Sequence, residues 1–212
     1  ATLTLLVRAR QACIYPRLME NKFDDLIQIG AIDDSAPLIK ATRGDCSTSK
    51  LNAVTQHITE RKDNGASKIV FCHYRGEIDE IKHRLMRQDM TVETFDGRTP
   101  QRERERILTT TECDVLILQI QTGCEGLNLQ HFSEVYFVSP HWNPAIEDQA
   151  IARCHRIGQL KETRVFRFNM AGFGVKACDM EETEIESTQT TLEEYSIEVQ
   201  DAKRKLMTML DV

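Results

Sequence analysis

No apolar run among the 212 residues approaches the roughly 20 that a bilayer-spanning helix needs, so no transmembrane segment is expected. The opening ATLTLLVRAR lacks both the apolar core and the cleavage site of a secretory signal. It also lacks an initiator Met and starts inside an amphipathic pattern, as expected of a piece of a longer protein. Seven cysteines are present, at 13, 46, 72, 113, 124, 154 and 178, and no two form a CxxC pair. Cys72-His73 and Cys154-His155 lack zinc-ligand spacing, so a metal site is not expected. Reduced, mostly buried thiols in the cytosol or nucleus are the expectation. An excess of positive charge is missing too: the net charge is −6. Residues 179–212, however, hold ten acids and three bases, a balance of −7, which leaves +1 for residues 1–178. Basic clusters stand at 82–87 and 98–106. Phosphate binding depends on a local patch rather than on the total, so charge neither supports nor excludes a nucleic-acid partner.

What is present is an alternation of strand and helix patterns. Residues 2–13 place Leu3, Leu6, Ala9 and Ile14 near helical spacing, with Arg8 and Arg10 off that face. Residues 17–45 contain few strong patterns, and the SAP and TRGD stretches within them read as loop. A helix starts at Ser49, with Leu51, Val54, His57 and Ile58 as its apolar positions, and ends near Asp63-Asn64-Gly65. Strands are expected at 68–74, 91–95, 114–120, 134–140 and 164–168. Between them lie a helix over 76–89, the charged helix opened by Pro100, and a helix from Pro144 to about Arg156. Such alternation predicts an α/β fold with a doubly wound parallel sheet and helices on both faces. Residues 172–190 read as an acidic linker. Residues 191–210 return to helical period, opened by a Thr191/Glu194 capping box. The expected organisation is a helical lead-in over 1–65, an α/β domain over 66–171, the linker at 172–190 and a terminal helix within 191–212.

Doubly wound sheets gather ligands beyond the carboxyl ends of their strands, and three stretches are expected there. The first is the loop 121–128, where Gly123 and Gly126 permit a close backbone and Thr122 and Asn128 could hold phosphate or ribose; taken alone, it reads as turn geometry only. The second is His141-Trp142-Asn143-Pro144, whose tryptophan is the only one in the sequence; it either packs beneath a neighbouring loop or offers a flat contact to nucleic acid. The third is QAIARCHRIGQ, residues 149–159. On a helix, Gln149, Arg153 and Arg156 share one face. Two guanidiniums there form a fork for phosphate oxygens, the chemistry that stabilises a transferred γ-phosphoryl group. A solvated basic face is the plainer alternative.

These stretches resemble the second RecA-like lobe of superfamily-two helicases, and within it the Swi/Snf-related DNA translocases. The pattern Q-x-x-x-R-x-x-R-I-G-Q is met from Gln149 to Gln159, and W-N-P at Trp142 to Pro144. G-x-x-G-[IL]-N-L is met at Gly123, Gly126, Leu127, Asn128 and Leu129. A D-G-x-[ST] turn falls at Asp96, Gly97 and Thr99. LVRARQACIYPRLM and TSKLNAV resemble upstream segments of the lobe, and TLEEYSIEVQDAKRKL its brace helix. Departures are Cys124 and Glu125 in the glycine loop, Phe71-Cys72-His73-Tyr74 at the first strand end, and Tyr15 before Pro16. The resemblance implies an ATP-dependent double-stranded-DNA translocase of chromatin-remodelling or repair type, with ATP and Mg²⁺ held mainly by a first lobe. Neither G-x-x-x-x-G-K-[ST] nor D-E-[AS]-H occurs in this sequence, so that lobe is expected as a partner. It implies Arg153 and Arg156 as catalytic residues, and Gly126, Asn128 and Gln149 on the nucleotide. Arg75, Thr99, Thr122 and Trp142 are the residues expected on DNA, with nucleosomes as a further partner and a nuclear location unless the source is viral or bacterial. Alternatives are a strand-separating lobe from another branch of the superfamily, or a catalytically silent scaffold.

Overall fold

The computed structural model describes residues 2–35, 49–109, 113–123, 127, 129–156, 158–170 and 191–210. The strongest apolar runs of the sequence become the strands. β1 (Ser67–Cys72), β2 (Val92–Phe95), β3 (Val115–Gln119), β4 (Phe132–Phe137) and β5 (Arg164–Arg167) form one sheet in the order β2-β3-β1-β4-β5. Every pairing is parallel. The helices are α1 (Thr2–Ile14), α2 (Glu20–Gln28), α3 (Ser49–Glu60), α4 (Arg75–Met86), α5 (Gln101–Thr109), α6 (Ile120–Gly123), α7 (Pro144–Cys154) and α8 (Leu192–Leu210). This is the expected doubly wound α/β architecture.

Both faces of the central strands are covered, which is why Ile69 to Cys72, Val115 to Leu118 and Val135 to Phe137 are apolar in succession rather than in alternation. Val70, Cys72, Val115, Ile117, Tyr136 and Val138 pack on one side against Leu51, Val54 and Ile58 of α3 and Ile78, Ile81 and Leu85 of α4. Their neighbours in sequence, Ile69, Phe71, Leu116, Leu118, Val135 and Phe137, face the other side with Ile107 of α5 and Ala150 and Cys154 of α7. Each such aliphatic side chain contributes about 1.5–3 kcal/mol on burial.

The structure departs from the sequence reading in four places. Residues 17–45, where the sequence shows few strong patterns, contain a helix: a 3₁₀ turn, Pro16–Met19, leads into α2, which buries Phe23 and ends before Gly30 at φ +69°. Three apolar residues in a charged nine-residue stretch were too few to show the period. Arg10 does not lie on a solvated face but is 7% exposed. β4 starts at Phe132, two residues before the expected strand, and Val138 to Pro140 leave it as a buried bend. Finally, α7 stops at Cys154 rather than near Arg156. The acidic stretch expected as a linker, 172–190, lies outside the described residues.

One buried ion pair ties α3 to α8. Lys50 of α3 donates to both carboxylate oxygens of Glu193 of α8, with the side chains 3% and 2% exposed. Glu193 also accepts from the Met170 amide at 2.6 Å. Lys50→Met would leave the Glu193 carboxylate buried and unpaired. It should therefore destabilise the fold by about 3–5 kcal/mol, and adding Glu193→Leu should recover most of that loss. Urea denaturation of the single and double variants measures both; equal stability of the single variant and the native chain would contradict the pairing.

Candidate nucleotide and nucleic-acid interface

The carboxyl edge of the sheet carries four of the expected residues. Arg75 is the first residue of α4, just past β1, and is exposed. A Cβ on Gly97 would lie 3.1 Å from its guanidinium, so the turn after β2 passes close beside Arg75. Thr99 closes that turn: its Oγ1 accepts from the Asp96 amide at 3.0 Å and its own amide donates to the Asp96 carbonyl at 3.1 Å. Thr122 follows β3, not in an open loop as expected but in the single turn of α6, with its hydroxyl 3.4 Å from Gln119 Oε1. Trp142 follows β4, half-buried, with the Arg10 guanidinium 5.6 Å from its ring centroid. Both readings of Trp142 therefore keep a place: one face is packed and part of the ring is open.

Beneath these loops lies a buried polar layer that the sequence reading missed. Arg10 donates to the Pro140 carbonyl and approaches His73 Nε2 at 2.6 Å. Burial first, and the Arg10 charge second, hold the His73 imidazole well below the ordinary histidine range. The same Nε2 lies 3.1 Å from the Ser139 carbonyl. Glu147 of α7, fully buried, accepts from the His141 amide at 2.8 Å, Arg167 Nε at 3.0 Å and Gln200 Nε2 at 3.0 Å. Gln200 also donates to the His141 carbonyl, and Lys203 to the Trp142 carbonyl at 3.1 Å. The loop holding Trp142 is thus clamped from α1 on one side and α8 on the other. Such side chains announce themselves only as charges at positions that fold inward, and no local spacing marks them.

The arginine pair sits elsewhere. Gln149 and Arg153 are one turn apart on α7, exposed and half-buried respectively. Arg156 is not on their helix: the helix stops at Cys154, and His155 leaves it at φ −94°, ψ 84°. Arg156 lies in a turn that returns through Gly158 at φ +105°, with the Gln159 amide donating to the Arg156 carbonyl at 3.0 Å. Gln159 pins the turn through its side-chain amide, which donates to the carbonyls of Gln130 and of Phe132, where β4 begins. Lys161 reaches the Gly65 carbonyl, just before β1, at 2.6 Å. The end of this stretch is therefore at the amino edge of the sheet, and the expectation that it gathers with the other loops at the carboxyl edge is corrected. A helix of α7's length runs back along the sheet by about 16 Å. Gly126 and Asn128 lie outside the described residues, as do Cys124, Glu125 and Ile157.

Charge is sorted between engaged and free arginines. Arg98 is held by Asp79 and Asp96, Arg106 by Glu93 and Glu103, and Arg104 by the carbonyls of Asp96 and Thr99. Two of the four arginines of the 98–106 cluster, Arg98 and Arg106, are thus paired with carboxylates. Among the described residues, the guanidiniums of Arg75, Arg87, Arg102, Arg153 and Arg156 make no hydrogen bond or ion pair.

Glu77 offers a measurable signature of the buried layer. Its Oε2 accepts from the amides of His73 (2.9 Å) and Tyr74 (3.1 Å), while Oε1 is buried without a partner. Desolvation outweighs those amides and the nearby Lys50 and Arg10, raising its pKa from 4.5 to about 7. Between these two values the folded protein keeps a proton that the unfolded chain has released, so this group's contribution to stability falls as pH rises. Glu77→Gln should gain stability relative to the native chain between about pH 5 and pH 8. A difference in denaturation midpoint that stays constant across that interval would contradict the assignment.

Comparison with known proteins identifies the family. Residues 49–158 match the helicase conserved C-terminal domain. The DNA repair protein RAD5A of Arabidopsis thaliana is 33% identical over 129 residues, covering 59% of this chain and 12% of that protein. The DNA repair protein RAD5 of Candida glabrata is 31% identical over 175 residues, covering 77% of this chain and 14% of that protein. The chain thus spans about an eighth to a seventh of the length of these relatives. Among solved structures, the crystal structure of the C-terminal part of the Fun30 ATPase domain aligns with a TM-score of 0.58 at 16% identity. The alignment covers 97% of this chain and 81% of that one, a likeness of fold. The chain belongs to the helicase conserved C-terminal domain family, as a C-terminal RecA-like lobe of the Swi/Snf-related, superfamily-two type.

Proposed function

We propose that this lobe is half of an ATP-dependent double-stranded-DNA translocase, presenting Arg153 and Arg156 to the γ-phosphate of a nucleotide held by a first RecA-like lobe. The observation that carries the reading is the pair of unengaged guanidiniums. Among the described residues Arg75, Arg87 and Arg102 share that state, but of the five only Arg153 and Arg156 lie in the Q-x-x-x-R-x-x-R-I-G-Q stretch. They fit a polyphosphate anion by charge and donor geometry. ATP with Mg²⁺, bound mainly by the first lobe, supplies the phosphoryl group. Arg153 and Arg156 then stabilise charge that develops as the group transfers, the larger effect being in the transition state. Gln149, on the same stretch of α7 as Arg153, orients or senses the nucleotide, and Gly126 and Asn128 couple its state to the lobe interface.

DNA would run along the other edge. Arg75, Thr99, Thr122 and Trp142 stand beyond the strand ends, where they would track a backbone largely without reading bases. The opposite placement of the arginine turn favours this division: nucleotide and DNA would act on the two ends of α7, so a shift of that rigid helix reaches both. Relatives named as DNA repair proteins support DNA as the partner, and by the same route a nuclear location. Nucleosomal DNA is a further substrate of this class.

In the complete two-lobe protein, Arg156→Ala should lower DNA-stimulated ATP hydrolysis by about 10³-fold or more, with DNA affinity nearly unchanged. Unchanged turnover in that variant would sink the assignment. The 212-residue chain by itself, lacking the phosphate-cradling loop, should hydrolyse no ATP above background; measurable turnover by the purified chain would refute the two-lobe reading.

A further inference from the structure

His73 stands directly after β1, at the edge that carries Arg75, Thr122 and Trp142, yet its side chain is turned inward and is 4% exposed. Its ring touches three separate parts of the chain. Nε2 stands 2.6 Å from Nη2 of Arg10 in α1 and 3.1 Å from the Ser139 carbonyl just past β4. The ring also stacks on His141, with centroids 5.6 Å apart. Its backbone is held as well: the amide donates to Glu77 Oε2 at 2.9 Å and the carbonyl accepts from Gln119 Nε2 at 3.2 Å. Arg10 is the unusual partner. It is 7% exposed, and among the described residues no carboxylate lies within ion-pair distance of it; Glu77, Glu193 and Glu147 act on its charge only from farther off. A cation taken out of water settles where polar groups meet it. Here it is met by the Pro140 carbonyl, by His73 and by the Trp142 ring, whose centroid lies 5.6 Å away. An imidazole suits this place only while uncharged, because a protonated ring would set a second cation 2.6 Å from the first. Burial and then the Arg10 charge keep it so.

We infer that His73 is a positioning residue for Trp142: its neutral ring holds the Arg10 guanidinium against the indole and so sets which side of that ring stays open. The inference rests on the reading that Trp142 meets DNA at the carboxyl edge, and it names the residue that aims the ring for that contact. Both remaining contacts of Arg10, the Pro140 carbonyl and the indole, belong to the segment 140–142, so the guanidinium registers where that segment lies. His73 fixes the guanidinium from the other side, out of β1, the central strand of the sheet. The aim of Trp142 is thereby set from the middle of the sheet rather than by its own loop. A side chain that merely filled space under the loop would not need a buried guanidinium, without a touching carboxylate, brought against it. The charge has a second consequence. Arg10 is not neutralised by contact, so it lends positive potential to the edge where a phosphate backbone would pass Trp142.

Trp142 is the only tryptophan in the 212-residue chain, so its fluorescence reports its own surroundings. His73→Leu removes the polar contacts of the ring, whereas His73→Gln keeps a neutral donor and acceptor. Acrylamide should quench Trp142 about twofold more strongly in His73→Leu, and His73→Gln should quench as the native chain does. Native-like quenching in His73→Leu, or as large a change in His73→Gln, overturns the proposal. If His73→Leu lacks a cooperative thermal transition, Arg10→Lys carries the same measurement. It keeps the charge but loses the planar fork and should also expose Trp142; unchanged quenching there overturns the proposal. Binding of a labelled duplex of about 20 base pairs by the complete two-lobe protein separates this role from the reading beneath it. His73→Leu should weaken that binding by about fivefold, with His73→Gln near native. If Trp142→Ala weakens binding and His73→Leu does not, the role of His73 falls. If Trp142→Ala binds as the native protein does, the DNA assignment of Trp142 falls instead, and the quenching alone decides whether His73 positions the ring.

Discussion

The buried Lys50–Glu193 pair is the constraint on which the rest of this lobe turns. It joins α3, next to the first strand, with α8, which follows the sheet by more than twenty residues, and it fixes where the first turn of α8 meets the domain. Two charges removed from water are weak contributors to net stability, because desolvation offsets most of their attraction. Their value here is positional. With Glu193 fixed, the next turns of α8 bring Gln200 to His141 and Glu147, and Lys203 to the Trp142 carbonyl. A change in α8 is therefore felt at the loop after β4.

That loop sits at one end of α7 and the arginine turn at the other. Parallel sheets impose this separation: a crossover helix starts at the carboxyl end of one strand and must return to the amino end of the next. Asn143 caps the start, its Oδ1 accepting from the Ala145 amide at 3.2 Å, and Gly158 with Gln159 closes the finish. A short helix with both ends held moves as a rod. The lobe thus has two working edges linked by one rigid element, with Glu147 in its first turn tied to the polar layer beneath the carboxyl edge.

Much of the lobe was legible in the sequence. KIVFC, DVLILQ and EVYF could hardly be anything but central strands, since each is too short for a helix and has no polar face to turn to water. α8 was equally plain from its period and its Thr191–Glu194 cap, where the Thr191 amide donates to Glu194 at 2.7 Å. α2 was not legible, because three apolar residues in nine do not establish a period. The inward turn of Arg10 was hidden as well: a helix position can be judged solvated only when its surroundings are known, and here they come from His73, Pro140 and Trp142, far along the chain.

The sequence by itself determined the alternation of strand and helix, hence the parallel sheet, and the residue types that make a phosphate fork, because both follow from local period and side-chain chemistry. Only the tertiary structure decided that Arg156 lies off the helix in a turn pinned to β4, at the edge opposite Trp142. It alone decided which arginines are engaged by carboxylates. Each of these depends on partners distant in sequence, and no local pattern carries the position of a partner that folding has yet to bring near.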